Sequence, residues 1–272
     1  MKFIPHKYQS MAIEKIYNTP RCGLFLDMGL GKTVITLTAI EDLIYNQFEI
    51  SKVLVIAPLR VAEDTWSREC EKWDHLKDLS VVKILGSPRK RRLALAQEAD
   101  VYIINRENVV WLTNELSSIG DGWFFDMVVI DELSSFKSPK AQRFRAITRS
   151  KRVVGLTGTP APNGLIDLWS QMYLIDSGER LGKTVSGYRE RYFTPNQRNQ
   201  TTIFNYKLKE NSEKAIMDKI SDICVSMKAE DWLDMPERID SIISVKMTPE
   251  QQLAYEKFEH DSYIEFAEGE VN

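Results

Sequence analysis

Short apolar runs recur along the N-terminal part of the chain: Leu24-Phe25-Leu26, Val53 to Ala57, Val81 to Leu85, Val101 to Ile104, Met127 to Ile130 and Val153 to Leu156. Most are nearly continuous and rich in β-branched residues. That is the pattern of strands buried on both faces of a parallel sheet. Between the runs the period changes. Val34, Leu37, Ile40 and Ile44 share one helical face, and Ala62, Trp66, Cys70 and Trp73 share another. Strands alternating with amphipathic helices predict an open α/β sheet with ligands at the carboxyl ends of its strands.

The pattern shifts near Asp176. From Gly178 to Lys209 the chain is polar, with Arg, Tyr, Asn and Gln prominent. Arg191-Tyr192-Phe193 and Thr202-Ile203-Phe204-Asn205-Tyr206 flank a polar loop, which predicts a hairpin or an irregular protrusion. Ser212 to Ile223 reads as a helix. Ile239, Ser241, Ile243, Val245 and Met247 alternate with more polar neighbours, as in a strand. Thr248-Pro249-Glu250-Gln251 then opens a helix, with Thr as N-cap, Pro in the first turn and Gln reaching back. Glu259, Asp261, Glu265, Glu268 and Glu270 make its far end acidic. The expected division is an α/β lobe over 1–175, a protrusion over 176–238, and a returning strand and helix over 239–272.

At 272 residues and 43% hydrophobic content, the chain supports one large or two modest cores. Its net charge of −3 does not favour nucleic acid in bulk. A nucleic-acid partner would have to meet local patches, such as Arg89-Lys90-Arg91-Arg92 or the stretch from Arg143 to Arg152. No run approaches about 18 apolar residues, so no membrane span is expected. Pro5 and early charges argue against a signal peptide, and the expected location is cytoplasmic. Cys22, Cys70 and Cys224 lack metal-ligand spacing and read as reduced packing residues. His6, His75 and His260 are isolated and read as structural or surface residues.

Three segments carry candidate chemistry, each at the end of an apolar run. In Asp27-Met28-Gly29-Leu30-Gly31-Lys32-Thr33, Gly29, Leu30 and Gly31 form a loop whose N–H groups can turn toward phosphate. Lys32 adds a point charge, and Thr33 adds a hydroxyl for magnesium at the start of a helix. The strict pattern wants Gly where this chain has Leu26, so alone the segment also fits a Gly-rich turn before a helix. Asp131-Glu132 alone fits a solvated turn. Downstream of a phosphate loop, Asp131 suits magnesium held through water, and Glu132 suits the attacking water. The third segment, Leu156-Thr157-Gly158-Thr159-Pro160, is a turn that can sense the bound nucleotide. Gln9, about two dozen residues before the loop, has the paired donor and acceptor that select adenine. Pro58, Leu59 and Arg60 follow a strand end, where backbone N–H groups and an Arg can hold a nucleic-acid phosphate.

Together these residues resemble helicase superfamily 2, and more narrowly the Swi/Snf-type DNA translocases. Asp27 to Thr33 is similar to the family's D-E-M-G-L-G-K-T loop. Ile56-Ala57-Pro58-Leu59 with Trp66 through Trp73 resembles C-P-L…W…E-F-x-K-W. Asp131-Glu132-Leu133-Ser134-Ser135-Phe136-Lys137-Ser138 resembles D-E-A-H-x-x-K-N, with Lys137 favouring this branch over DEAD-box RNA helicases. Leu156 to Asn163, followed by Leu168-Trp169, resembles L-T-G-T-P-L-Q-N. Short spacers are similar to phage or bacterial members. The resemblance implies a RecA-like P-loop lobe with a mostly parallel sheet flanked by helices, plus a small protrusion subdomain. It also implies ATP, Mg2+, and translocation on double-stranded DNA. Thr157, Gly158 and Thr159 would relay nucleotide state. Ser134 stands where the family has His or Asp, a residue that couples the acidic motif to that turn. The chain stops where the family's second lobe begins, so a second RecA-like lobe, in cis or in trans, is an expected partner, and a single lobe should hydrolyse ATP slowly. The alternatives are a restriction-type translocase, an RNA helicase, or a non-catalytic ATP- or DNA-binding module acting through a partner.

Overall fold

The computed structural model describes residues 1–120, 122–136, 147–161, 164–198, 203–233 and 247–268. The strands are β1 (Arg21–Leu26), β2 (Val53–Ala57), β3 (Val81–Ile84), β4 (Val101–Asn105), β5 (Met127–Ile130), β6 (Arg152–Thr157), β7 (Phe193–Arg198), β8 (Ile203–Leu208) and β9 (Cys224–Met227). The helices are α1 (Lys7–Asn18), α2 (Lys32–Tyr45), α3 (Trp66–Lys72), α4 (Pro88–Leu95), α5 (Val109–Ile119), α6 (Leu168–Asp176), α7 (Val185–Tyr192), α8 (Ser212–Ile220) and α9 (Pro249–Glu268).

Each apolar run of the sequence becomes a strand of one sheet, ordered β3-β4-β2-β5-β6-β1-β9, with every pair parallel. The continuous apolar runs follow from this arrangement. Alternate residues of each strand enter opposite cores. Val53, Val55, Val101, Ile103, Met127 and Val129 pack on the side of α1, α2 and α3. Leu54, Ile56, Tyr102, Ile104, Val128 and Ile130 pack on the side of α5, α6 and α7. The inner strands β2, β4, β5 and β6 are covered on both faces, so the polar alternation of an exposed sheet disappears there, while the edge strands β3 and β9 each keep an exposed residue.

One strand has no counterpart in the sequence reading. Cys224-Val225-Ser226-Met227, within the stretch read as protrusion, joins the sheet as β9 beside β1, with Gly23 opposite Cys224. The predicted hairpin is present as the antiparallel pair β7 and β8, with Phe193 opposite Leu208 and register shifts near Pro195 and Gln197. Most of the predicted strand from Ile239 to Met247 lies outside the described residues.

Residues 1–233 form one compact unit, and 234–272 form a second. In the second unit α9 opens as its sequence predicts. Thr248 N–H donates to Gln251 Oε1 at 3.1 Å, and Gln251 N–H donates to Thr248 Oγ1 at 3.3 Å. This reciprocal pair satisfies two donors that the first helical turn leaves open. Among the described residues no helix is long and apolar enough to cross a membrane.

Of the basic stretch ending at Arg152, Arg143 and Arg145 lie outside the described residues, Arg149 and Lys151 are exposed, and Arg152 is not on the surface. Arg152 is only 4% exposed. It donates to the carbonyls of Ile16 and Tyr17 at the end of α1, and to both carboxylate oxygens of Glu49. It therefore closes the end of α1 onto the amino end of β6. Truncating it leaves two carbonyls and a carboxylate without their donor. Arg152→Ala is expected to lower unfolding free energy by about 3 kcal/mol, read as a lower urea midpoint at an unchanged denaturant slope.

Candidate functional site

In a parallel sheet all carboxyl ends lie along one edge. β1 ends at Leu26 and runs into Asp27 to Gly31. β2 ends at Ala57, before Pro58, Leu59 and Arg60. β5 ends at Ile130, before Asp131 and Glu132. β6 ends at Thr157, followed by Gly158 and Thr159. Register keeps the ends level: Ile56 lies opposite Ile130, Ile130 opposite Gly155, and Leu24 opposite Leu156.

The loop after β1 curls because Gly29 and Gly31 take positive φ, at 86° and 79°. Non-glycine residues disfavour that region. A side chain at Gly31 would also place Cβ 2.9 Å from Gln9 Nε2. The loop is tethered on its other side. Asp27 N–H donates to the Met227 carbonyl at 3.2 Å, and Asp27 Oδ2 accepts Ala229 N–H at 2.9 Å. Sequence patterning carries no signal for this tether, because its residues lie far apart in the chain.

Lys32 begins α2, and its Nζ donates to the carbonyls of Leu26 at 2.7 Å and Asp27 at 3.2 Å. Burial lowers its pKa, while the negative charges of Glu132, Asp131 and Asp27 act in the opposite direction. Asp131 is pushed above the ordinary carboxylate range, first by burial and further by the charge of Glu132. Hydrogen bonds from Trp66 and from the Glu132 N–H, with the charge of Lys32, pull it back. Glu132 sits in the left-handed region at φ 51°, ψ 53°. A β-carbon is disfavoured there, and such residues concentrate at functional sites.

Gln9 is buried at 7% exposure. Its Oε1 accepts the His6 N–H at 2.9 Å, capping α1, and its Nε2 donates to the Leu30 carbonyl at 3.4 Å. Each amide atom retains one further bonding site, the pair that adenine recognition would use. Gln9, Gly29, Gly31, Lys32, Thr33, Asp131 and Glu132 line one cavity of about 710 Å³. No group of three His, Cys, Asp or Glu among the described residues is placed to hold a metal alone. Thr33 and Asp131 both line this cavity, and a hydroxyl with a carboxylate fits magnesium shared with phosphate oxygens, since that ion keeps few protein ligands.

The third turn meets the first. A Cβ at Gly158 would lie 3.5 Å from the Leu26 carbonyl and 3.6 Å from the Met28 nitrogen. Thr159 N–H donates to Thr157 Oγ1 at 3.2 Å. Helix α6 supports two of these loops at once. Ser170 Oγ donates to the Phe136 carbonyl at 2.6 Å, and Gln171 Nε2 donates to the Pro160 carbonyl. Ser134 is buried in the turn after Glu132. Lys137, Ser138, Pro162 and Asn163 lie outside the described residues.

Leu59 and Arg60 are exposed after β2. The run Arg89 to Arg92 is only partly available to a ligand. Arg91 is buried with its guanidinium 4.2 Å from the Trp111 ring, and Arg92 pairs with Glu115 at 2.7 Å.

A protein of Acyrthosiphon pisum secondary endosymbiont phage 1, p41, is 36% identical over 279 residues, covering 99% of this chain and 60% of p41. The DNA excision repair protein ERCC-6-like of Bos taurus is 29% identical, covering 93% of this chain and 23% of that protein. Among solved structures, the Sulfolobus solfataricus SWI2/SNF2 ATPase core in complex with dsDNA is similar at a TM-score of 0.66 and 25% identity. That match covers 94% of this chain and 52% of the solved one. The chain thus spans between about a quarter and three fifths of these relatives' lengths. The family model of the SNF2-related domain matches residues 9–272, and the chain belongs to that family.

Proposed function

We propose that this chain is the ATP-binding lobe of a Swi/Snf-type, DNA-dependent ATPase that translocates on double-stranded DNA. The observation that carries this reading is the convergence of Lys32, Asp131 and Glu132 on the cavity beside the Gly29–Gly31 loop. A cation for phosphate, a carboxylate for metal and a second carboxylate for water are the parts that phosphoryl transfer to water needs.

Lys32 would bind the β/γ-phosphates, with the loop N–H groups beside it. Thr33 and Asp131 would hold Mg2+, which supplies charge neutralisation on the phosphate oxygens. Glu132 would orient the attacking water and accept its proton. Gln9 would read adenine. Thr157, Gly158 and Thr159, with Gly158 close to the backbone of Leu26 and Met28, would carry nucleotide state away from the site. Pro58, Leu59 and Arg60 would meet the DNA backbone. A second RecA-like lobe, in cis or in trans, would close the cleft and supply an arginine finger, a contribution worth ~10³–10⁵ in rate.

Lys32→Ala is expected to weaken binding of a non-hydrolysable ATP analogue by about 10–100-fold, the worth of charge-assisted bonds to phosphate. Calorimetric titration reads this, and unchanged affinity would remove Lys32 from the site.

Glu132→Gln should retain Mg-ATP binding while turnover falls by ~10²–10⁴-fold, whereas Asp131→Asn should also weaken metal-dependent binding. Identical behaviour of the two variants would refute the division of roles.

Steady-state ATPase of residues 1–272, alone, with duplex DNA and with a second lobe added, tests the whole reading. Slow turnover that rises by orders of magnitude with lobe and DNA is expected. Nucleotide binding without turnover under any of these conditions would identify a non-catalytic module instead.

A further inference from the structure

The carboxylate of Asp131 is held from two sides. Its Oδ1 accepts the N–H of Glu132 at 3.0 Å, and its Oδ2 accepts the indole N–H of Trp66 at 3.0 Å. The first donor belongs to the same turn. The second comes from another element, the first residue of α3, and spans 65 positions of sequence.

Trp66 suits this task on three counts. It has no exposed surface and is packed in the core that includes residues of α1 and α2, which restricts its ring. Its only polar atom is a donor, so it orients a carboxylate without competing for a cation. The register of its helix is also specified locally. Residues Val61–Thr65 form a π-helical segment that passes directly into α3. Such an insertion rotates the downstream helix by about 100° relative to an uninterrupted α-helix, and π-helical insertions recur at functional sites.

We propose that Trp66 is a positioning residue for the magnesium site: its indole N–H fixes one oxygen of Asp131, so the carboxylate would be presented to the ion or its water shell in a single orientation. This rests on the reading of Asp131 as a metal ligand. A buried indole needs only some acceptor, and a backbone carbonyl would serve a purely structural Trp. Here the acceptor is the carboxylate whose orientation matters most to the site. Donors behind a ligand are commonly worth about 10–100-fold in metal affinity.

The test compares Trp66→Phe, Asp131→Asn and the double variant in the full chain. Binding of a non-hydrolysable ATP analogue is measured by calorimetry in EDTA and across a Mg2+ titration, alongside the thermal midpoint. Trp66→Phe should leave metal-free nucleotide affinity within about twofold. It should raise the Mg2+ concentration for half-maximal tightening by about tenfold. On the Asp131→Asn background it should change the Mg2+ dependence no further, because both act through one carboxylate. If Phe leaves the chain unfolded, 3-benzothienylalanine at position 66 replaces the N–H by sulfur at constant shape, and the same shift is expected. A wild-type Mg2+ dependence in the variant that folds overturns the proposal. So does an equal loss of affinity with and without metal. If Asp131→Asn itself keeps the wild-type Mg2+ dependence, the assignment of Asp131 as ligand fails, and this inference fails with it. If only Trp66→Phe does so, the assignment stands and Trp66 is a core residue.

Discussion

Burial of both sheet faces is the constraint on which the rest of this structure depends. A strand covered on each side carries no unpaired charge in its interior, because such a charge between two apolar layers is too costly. Arg21 and Arg152 stand at strand starts with partners, and Lys83 lies on the edge strand β3. Polar chemistry is therefore confined to the places where strands stop. Parallel pairing puts those places on one edge. Asp27 to Gly31, Pro58 to Arg60, Asp131-Glu132 and Thr157 to Thr159 are neighbours for this reason, although more than 100 residues separate the first from the last. The sheet sets the coarse geometry of the site, and local hydrogen bonds refine it.

The refinement comes largely from main-chain carbonyls and their donors. Lys32 spans Leu26 and Asp27, Gln9 ties α1 to Leu30, and Ser170 and Gln171 tie α6 to the loops after β5 and β6. The last pair bears on the departure at Ser134. The resemblance implies a His or Asp that couples the acidic motif to the Thr-Gly-Thr turn, and this chain has Ser134 there. Two consecutive residues of one helix instead hold backbone from both loops. Leu133 adds a packing link, since a Cβ at Gly155 of β6 would lie 2.6 Å from its Cδ2. The two loops share a common support in the apolar layer beneath them.

Much of this was legible in the sequence, for physical reasons. The strands from β1 to β6 declared themselves because burial on both faces leaves uninterrupted apolar runs. The loop, the acidic pair and the Thr-Gly-Thr turn stood out because each places unusual residue types at the end of such a run. The features that escaped depend on partners distant in sequence. β9 is short, carries Ser226 and lies at the sheet edge, so no periodicity marks it. Arg91, Arg92 and Arg152 look alike as charges. One stacks on Trp111, one pairs with Glu115 and one is buried against α1 and Glu49, a difference decided only by tertiary packing. The helix read over Ala62 to Trp73 is present, but its first turn is π-helical, which residue spacing does not reveal.

The tether between Asp27 and Ala229 has a consequence for how the polypeptide acquires its shape during synthesis. The outer neighbour of β1 is β9, which is made some 200 residues later. Until then β1 is an open edge, with the amides and carbonyls from Gly23 to Leu26 unmatched on that side, a surface prone to pairing with foreign strands. The nascent chain therefore carries an open strand edge next to the Gly29–Gly31 loop while some 200 further residues are made. A chaperone that shields this stretch, or slow codons placed after Met227, would act on the same weakness. Any shortened form ending before Cys224 would keep it permanently.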